Sequence, residues 1–289
     1  MSRYARPRSL DEALGLLAEG HWRILAGGTD FYPALGSAPL RDDVLDISAI
    51  GELAGIADDG DQIIIGGLTS WTTIANARLP PGFDALKMAA RDVGSIQIQN
   101  RATVAGNLCN TSPAADGVPP LLALDAEVKL RSLAGARRLP LAKFILGNRR
   151  TALEPGELVT AIRVPHVSAQ GTSAFVKLGA RRYLVISIAM SAARIATGPD
   201  GRVAHAAVAV GACSPVAMRL PELEADLVGK AADGALADTV DTRHLASLSP
   251  IDDVRGSAAY RQEAAREIVA RAIRMAVERL GSAGQEAAA

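Results

Sequence analysis

The chain has 289 residues, and its 31 Lys+Arg balance 31 Asp+Glu, so the formal net charge is zero. With 49% apolar and 21% charged residues it is not a disordered chain, and it lacks the basic excess that attracts phosphate backbones, which excludes nucleic acid as a partner. Its length predicts two domains, with cores built from Val, Ile, Leu and Ala because aromatics make up only 3%.

Ser9-Leu10-Asp11-Glu12 fits a capping box, and Leu10, Ala13, Leu14 and Leu17 follow at helical spacing up to Gly20. Trp22 to Ala26 reads as a short buried strand, Phe31 to Leu35 as one helical turn, and Val44 to Ile47 as another strand. Near Ile56 the pattern restarts. Asp58-Asp59-Gly60-Asp61 is a polar turn before a β-rich stretch, Gln62 to Ile65, and helices are predicted over Ser70 to Ala77 and Phe83 to Val93. Gly94 to Asp116 has little helical period and reads as a long irregular segment, which is uncommon in a compact domain unless it has a function. Pro119 to Leu124 reads as a short helix and Glu127 to Leu130 as a strand.

Around residue 170 the composition shifts again. Ser173 to Leu178, Leu184 to Ile195 and Val203 to Val210 read as strands, the last two joined by a turn at Gly198-Pro199-Asp200-Gly201. From Pro221 the chain is helical, ending in a helix over about Tyr260 to Leu280 and a frayed tail from Gln285 to Ala289. Strands followed by helices predict an α+β carboxy-terminal domain.

Much familiar chemistry is absent. No two glycines are separated by a single residue, so the G-x-G-x-x-G dinucleotide fingerprint is missing, as are a phosphate loop of the G-x-x-x-x-G-K-[ST] type and a G-x-S-x-G elbow. His21, His166, His205 and His244 are scattered, and Cys109 and Cys213 fall short of an iron–sulfur or zinc ligand set. Met1 to Pro7 has no apolar run behind its charges, and the longest apolar run, Leu184 to Ala193, is half a membrane span. These features predict a soluble, cytoplasmic protein with no membrane span.

Two glycine-rich loops remain. In Ile24-Leu25-Ala26-Gly27-Gly28-Thr29-Asp30-Phe31 a strand runs into paired glycines that let a ligand oxygen approach backbone amides, a setting for a pyrophosphate. The same residues also describe an ordinary strand–helix turn capped by Asp30 or Thr29. The second loop, Asn100 to Asp116, is dense in short polar side chains that can line a site for a heteroaromatic ring and a ribose, or can satisfy their own backbone. Valine at Gly27 or Gly106 is expected to fill the ligand's space and leave the chain folded.

Across nearly its whole length the chain resembles the FAD-binding medium subunit of the molybdenum hydroxylases, the xanthine dehydrogenase and carbon monoxide dehydrogenase family. The resemblance rests on A-G-G-T-D at Ala26–Asp30, I-G-G-L-T at Ile65–Thr69, T-V-A-G-N at Thr103–Asn107, S-P-A-A-D at Ser112–Asp116 and L-L-A-L-D-A-E-V at Leu121–Val128, in that order and spacing. It implies an α+β protein: a two-part FAD-binding α/β fold of the PCMH-like, vanillyl-alcohol-oxidase type over residues 1–56 and 57–170, then an antiparallel sheet with helices over 171–289. It also implies that Leu25, Ala26, Gly27, Gly28, Thr29, Asp30 and Phe31 bind the FAD pyrophosphate. Thr103, Gly106, Asn107, Cys109 and Asp116 would hold pyrophosphate, ribose and flavin, and Lys177 and Tyr183 would lie near the isoalloxazine ring.

FAD would be bound non-covalently, with no catalytic residue and no metal in this chain. Molybdopterin and a 2Fe-2S cluster would reside in a large and a small partner subunit, in a dimer of heterotrimers. Electrons would come from the 2Fe-2S subunit and leave from FAD to an external acceptor. Asp116 runs directly into Gly117-Val118-Pro119, so the cysteine-bearing insertion of one family branch is missing. Two alternatives are a stand-alone flavin oxidase of the vanillyl-alcohol oxidase type and an assembly subunit without a redox role. No His in either loop counts against the first, and the intact glycine loops count against the second.

Overall fold

A computed structural model describes residues 2–288, with side chains described through residue 281. The chain opens with strand β1 (Tyr4–Ala5), helix α1 (Leu10–Glu19), strand β2 (Arg23–Leu25), helix α2 (Phe31–Leu35) and strand β3 (Val44–Asp46). The three strands form a parallel sheet in the order β1-β3-β2. The Ser9 hydroxyl accepts the Glu12 amide at 3.3 Å, as the capping box predicts. The Glu12 carboxylate takes the Arg8 amide, at 2.9 Å, rather than that of Ser9. Leu10, Ala13 and Leu14 turn inward onto Leu45, Ile47, Ile50 and Leu53.

The middle of the chain carries β4 (Ile56–Asp58), β5 (Gln62–Gly66), α3 (Trp71–Asn76), α4 (Asp84–Asp92), α5 (Ile96–Arg101), α6 (Val104–Asn110) and α7 (Val118–Ala123). It continues through β6 (Glu127–Ser132), β7 (Gly135–Pro140), α8 (Leu141–Phe144), β8 (Ile145–Gly147), β9 (Arg150–Thr151) and β10 (Leu158–Pro165). An antiparallel five-stranded sheet runs β4-β5-β10-β6-β7. Ile63 and Ile65 of β5, and Val128 and Leu130 of β6, alternate into one core with Trp71, Phe83 and Phe144.

The segment from Gly94 to Asp116, expected to be irregular, instead holds two helices, α5 and α6, of 6 and 7 residues. Helices this short do not stand alone. Tertiary bonds hold them: Trp71 N–H donates to the Ala102 carbonyl (3.3 Å) and Val104 N–H to the Thr69 carbonyl (3.0 Å).

The last part comprises β11 (Thr172–Leu178), β12 (Ala189–Thr197), β13 (Val203–Gly211), β14 (Met218–Arg219), α9 (Pro221–Leu227) and α10 (Ala258–Ala288), with the strands in an antiparallel sheet in chain order. Helix α10 runs past the Leu280 end expected from periodicity, and the frayed tail expected over 285–289 reaches outside the described residues. One face of this sheet packs on α9 and α10, and the other meets α4 and α7 through Ala85, Ala89, Ala123, Phe175, Met190, Ala192 and Ala207. Ala189 through Ala196 are consequently all buried, which explains a mostly small, apolar strand in place of alternation. The strand expected from Leu184 starts only at Ala189, because Leu184 adopts φ 53° and breaks the extended backbone. Among the described residues no helix is long and apolar enough to cross a membrane.

Candidate functional site

Strand β2 ends at Leu25 and delivers Ala26-Gly27-Gly28-Thr29-Asp30 to the start of α2. Gly28 has φ 80°, a conformation that favours glycine, and its carbonyl accepts the Tyr32 amide at 3.2 Å. Gly27 is needed for a different reason: a Cβ built there would stand 2.0 Å from the backbone oxygen of Arg101. The two loops are thus in direct backbone contact. A valine at Gly27 collides with Arg101, so the expectation that this variant merely fills ligand space is corrected.

On the other side of that contact, Thr103 caps α6 by accepting the Gly106 amide at 3.0 Å, which removes that amide from the set free to bind a ligand. Between the loops lies a cleft of about 510 Å³. Ala26 through Phe31 line one wall, and Thr103, Gly106, Asn107 and Cys109 line another. Ten of the fourteen residues nominated from the sequence therefore meet in one cavity. Leu25 lies beneath it, packed with Phe31 and Val44.

Asp116, Lys177 and Tyr183 are not part of the lining. Asp116 and Lys177 form a buried ion pair of 2.6 Å, and Ser187 Oγ donates to the other Asp116 oxygen at 2.6 Å. Burial pushes the Asp116 carboxyl above its ordinary range, while Lys177 and Ser187 pull it back. Tyr183 is exposed, with the Arg182 guanidinium over its ring and bonded to its hydroxyl at 2.9 Å.

Trp71, Arg149 and Glu157 also line the cleft and were not nominated. Trp71 lies two residues after Gly66-Gly67-Leu68-Thr69, a glycine motif that was the available signal. Arg149 and Glu157 carry none. Asn107 Oδ1 and Trp71 Nε1 are both buried without a hydrogen-bond partner. Such orphaned groups are rare in folded proteins, and here an acceptor and a donor border the same cavity. A ligand reaching them would need both donors and acceptors, which the ring, ribityl and phosphate groups of a flavin dinucleotide carry. A more open groove of about 670 Å³ beside β4 and α3 contains none of the nominated residues.

Residues 1–167 match the family model described as the FAD binding domain in molybdopterin dehydrogenase. This chain belongs to the FAD-binding medium subunits of the molybdenum hydroxylases. Residues 174–276 of the medium subunit match the CO dehydrogenase flavoprotein C-terminal domain. It is 31% identical to the 6-hydroxypseudooxynicotine dehydrogenase complex subunit alpha of Paenarthrobacter nicotinovorans, over 96% of this chain and 94% of that one. It is 30% identical to the carbon monoxide dehydrogenase medium chain of Hydrogenophaga pseudoflava, over 94% and 96%.

The structure superposes on the crystal structure of a Cu,Mo-CO dehydrogenase with a TM-score of 0.88 and 28% identity, covering 96% of this chain and 98% of that one. The protein is an oxidoreductase subunit with a two-part FAD-binding fold followed by an antiparallel sheet with helices. In complexes of the CO dehydrogenase type, molybdopterin and iron–sulfur groups belong to other subunits.

Proposed function

We propose that this medium subunit is the electron-transfer member of a heteromeric molybdenum hydroxylase, receiving electrons from a 2Fe-2S subunit and delivering them to an external acceptor. The observation that carries this reading is the single cleft between the Ala26–Phe31 loop and helix α6, with the orphaned Asn107 and Trp71 groups at its wall. FAD, when bound, supplies the capacity to take up electrons singly and release them singly or in pairs.

The chain's own residues bind and position. The Gly28 turn brings backbone close to the phosphates, Trp71 Nε1 donates, and Asn107 Oδ1 accepts. Phe31 and Trp71 exclude water from one side. No side chain acts as general acid or base. Asp116 and Lys177 act together, since their pair fixes the end of α4 through the Lys177 bond to the Asp92 carbonyl (3.4 Å), and Val93, the next residue, lines the cleft. We place Tyr183 near the flavin ring. We divide the chain at 56/57 and 170/171, with the first two parts enclosing FAD. We assign the complex to the cytoplasm as a dimer of heterotrimers with a large molybdopterin subunit and a small 2Fe-2S subunit.

The test is co-purification of this chain with the products of neighbouring genes, followed by a visible absorption spectrum. A yellow complex whose flavin is reduced only when both partners and substrate are present is expected. A chain that is colourless and refuses added FAD overturns the cofactor assignment, and a lone chain that oxidises a small substrate overturns the subunit assignment.

A further inference from the structure

Four charged residues line the cleft: Arg23, Asp30, Arg149 and Glu157. Arg23 is engaged, with its guanidinium 4.4 Å from the Phe31 ring centre and 3.2 Å from Asp42. Glu157 takes two bonds from Arg137, at 2.6 and 2.7 Å. Arg149 is exposed to the cleft and, among the described residues, has no hydrogen-bond or ion-pair partner. The cleft therefore offers one uncommitted cation to a cofactor that carries a pyrophosphate dianion. An unneutralised dianion in a partly enclosed site is costly, and a guanidinium is the side chain best matched to oxyanions.

The backbone at this position argues the same way. Arg149 lies between β8 and β9 with φ 55°, in the left-handed region where asparagine or glycine is the cheaper choice. The next residue, Arg150, donates its amide to Thr111 Oγ1 at 2.9 Å. Thr111 is itself left-handed at φ 49°, buried, and ends α6. The bond from Arg150, the neighbour of left-handed Arg149, to left-handed Thr111 spans 39 positions of chain and clamps the hairpin to the helix that carries Thr103, Gly106, Asn107 and Cys109. Strain of this kind persists where the placement of a side chain is needed.

We propose that Arg149 is a further FAD-binding residue, whose guanidinium takes an anionic oxygen of the cofactor. The proposal rests on the FAD reading above. It predicts a charge-dependent loss of affinity, measured on the purified complex stripped of flavin by fluorescence titration with FAD. Arg149→Asn is the informative variant, because asparagine tolerates the left-handed backbone and removes the charge without new strain. It should weaken FAD binding by roughly tenfold or more, as loss of a charge-assisted bond does. The loss should shrink as salt is raised. Arg149→Lys should recover part of it, and Arg266→Gln, the same charge change at an exposed position of α10 outside the cleft lining, should stay within about twofold of wild type.

Titration with ADP and with riboflavin separates the two sources of the anion. A parallel loss for ADP assigns the contact to phosphate, and a parallel loss for riboflavin assigns it to the ring. Folding of each variant is checked by circular dichroism. If folded Arg149→Asn binds FAD as wild type does, this inference fails and the FAD reading stands. If wild type itself binds no FAD, it is the FAD reading that fails.

Discussion

Lys177 Nζ donates to Asp116 Oδ2 at 2.6 Å across 61 residues of chain, and both side chains are only 8% exposed. The pair joins β11 to the segment entering α7, so the two groups that the family resemblance sends to the cofactor satisfy each other. Ser187 completes the arrangement, and the Arg255 guanidinium fixes the Ser187 carbonyl at 3.2 Å. One wall of the cleft, at Val93, is thereby tied to the carboxy-terminal sheet.

Removing the cation alone should be expensive. Lys177→Met leaves Asp116 buried without its partner, and a loss of about 3 kcal/mol is expected from breaking one half of a buried pair. Asp116→Asn added to it should restore most of that loss. The pH dependence has a definite sign. A carboxyl held above its ordinary 3.8 binds its proton more tightly in the folded state, so its contribution is most favourable below that value and declines as pH rises through the folded value. Lys177→Met should steepen the decline. Urea denaturation at pH 4.5 and pH 7 measures both effects, and a double variant no more stable than Lys177→Met would show that the pair is not the source.

The two loop glycines should behave differently. Gly27→Ala places a Cβ 2.0 Å from a backbone oxygen that has no freedom to turn aside, so overpacking of about 2 kcal/mol is expected, with FAD lost alongside stability. Gly106→Ala meets only Thr103 Oγ1, at 2.9 Å, the tip of a side chain that can give way, and alanine suits a helix interior. That variant should melt near wild type and lose FAD affinity. Thermal melts without cofactor, paired with FAD titrations, distinguish them; equal melting temperatures for the two variants would contradict the loop–loop contact.

Asn107 gives a prediction of opposite signs in two states. Its Oδ1 is buried and unpaired when the cleft holds no ligand, so it is a cost to the cofactor-free chain. Asn107→Leu, similar in volume, should leave cofactor-free stability unchanged or raise it by about 1 kcal/mol, because no orphaned acceptor remains. FAD affinity should fall in the same protein. A variant destabilised without cofactor would instead mark Asn107 as a structural residue.

Acid sensitivity should arise far from the cleft. Bonds from Arg255, at 2.6 Å and through its backbone amide at 2.8 Å, and from the buried Arg261 hold the Asp253 carboxyl well below the usual carboxylate range. A depressed carboxyl stabilises the fold above its unfolded value of 3.8, and that stabilisation is lost as pH falls below it. Asp253→Asn should therefore flatten the acid side of the stability profile below about pH 4 and reduce stability at pH 7. An unchanged acid limb would assign the acid sensitivity elsewhere.

Local rules made several elements legible. The Ser9 cap starts α1, the alternation in Gln62–Gly66 marks β5, and the paired glycines at 27 and 28 mark a sharp turn, because capping, pleat and backbone sterics act within a few residues. The two glycine-rich loops, 24–31 and 100–116, also held ten nominated residues that meet in one cleft. Helices α5 and α6 were not legible, since their stability comes from bonds to Thr69 and Trp71 rather than from periodicity. The apolar stretch Leu184–Ile188 reads as strand, yet Ser187 is drawn to Asp116 and Leu184 turns left-handed.

The sequence by itself determined the cofactor class, through its resemblance to a known family, and the turns of its two glycine loops, because short motifs encode local backbone shape. Only the tertiary structure decided which charges remain free. Asp116 and Lys177 neutralise each other across 61 residues, whereas Arg149 reaches the cleft from a segment that carries no motif for it. Pairing of charges depends on distances in space, and those exist only once the chain has folded.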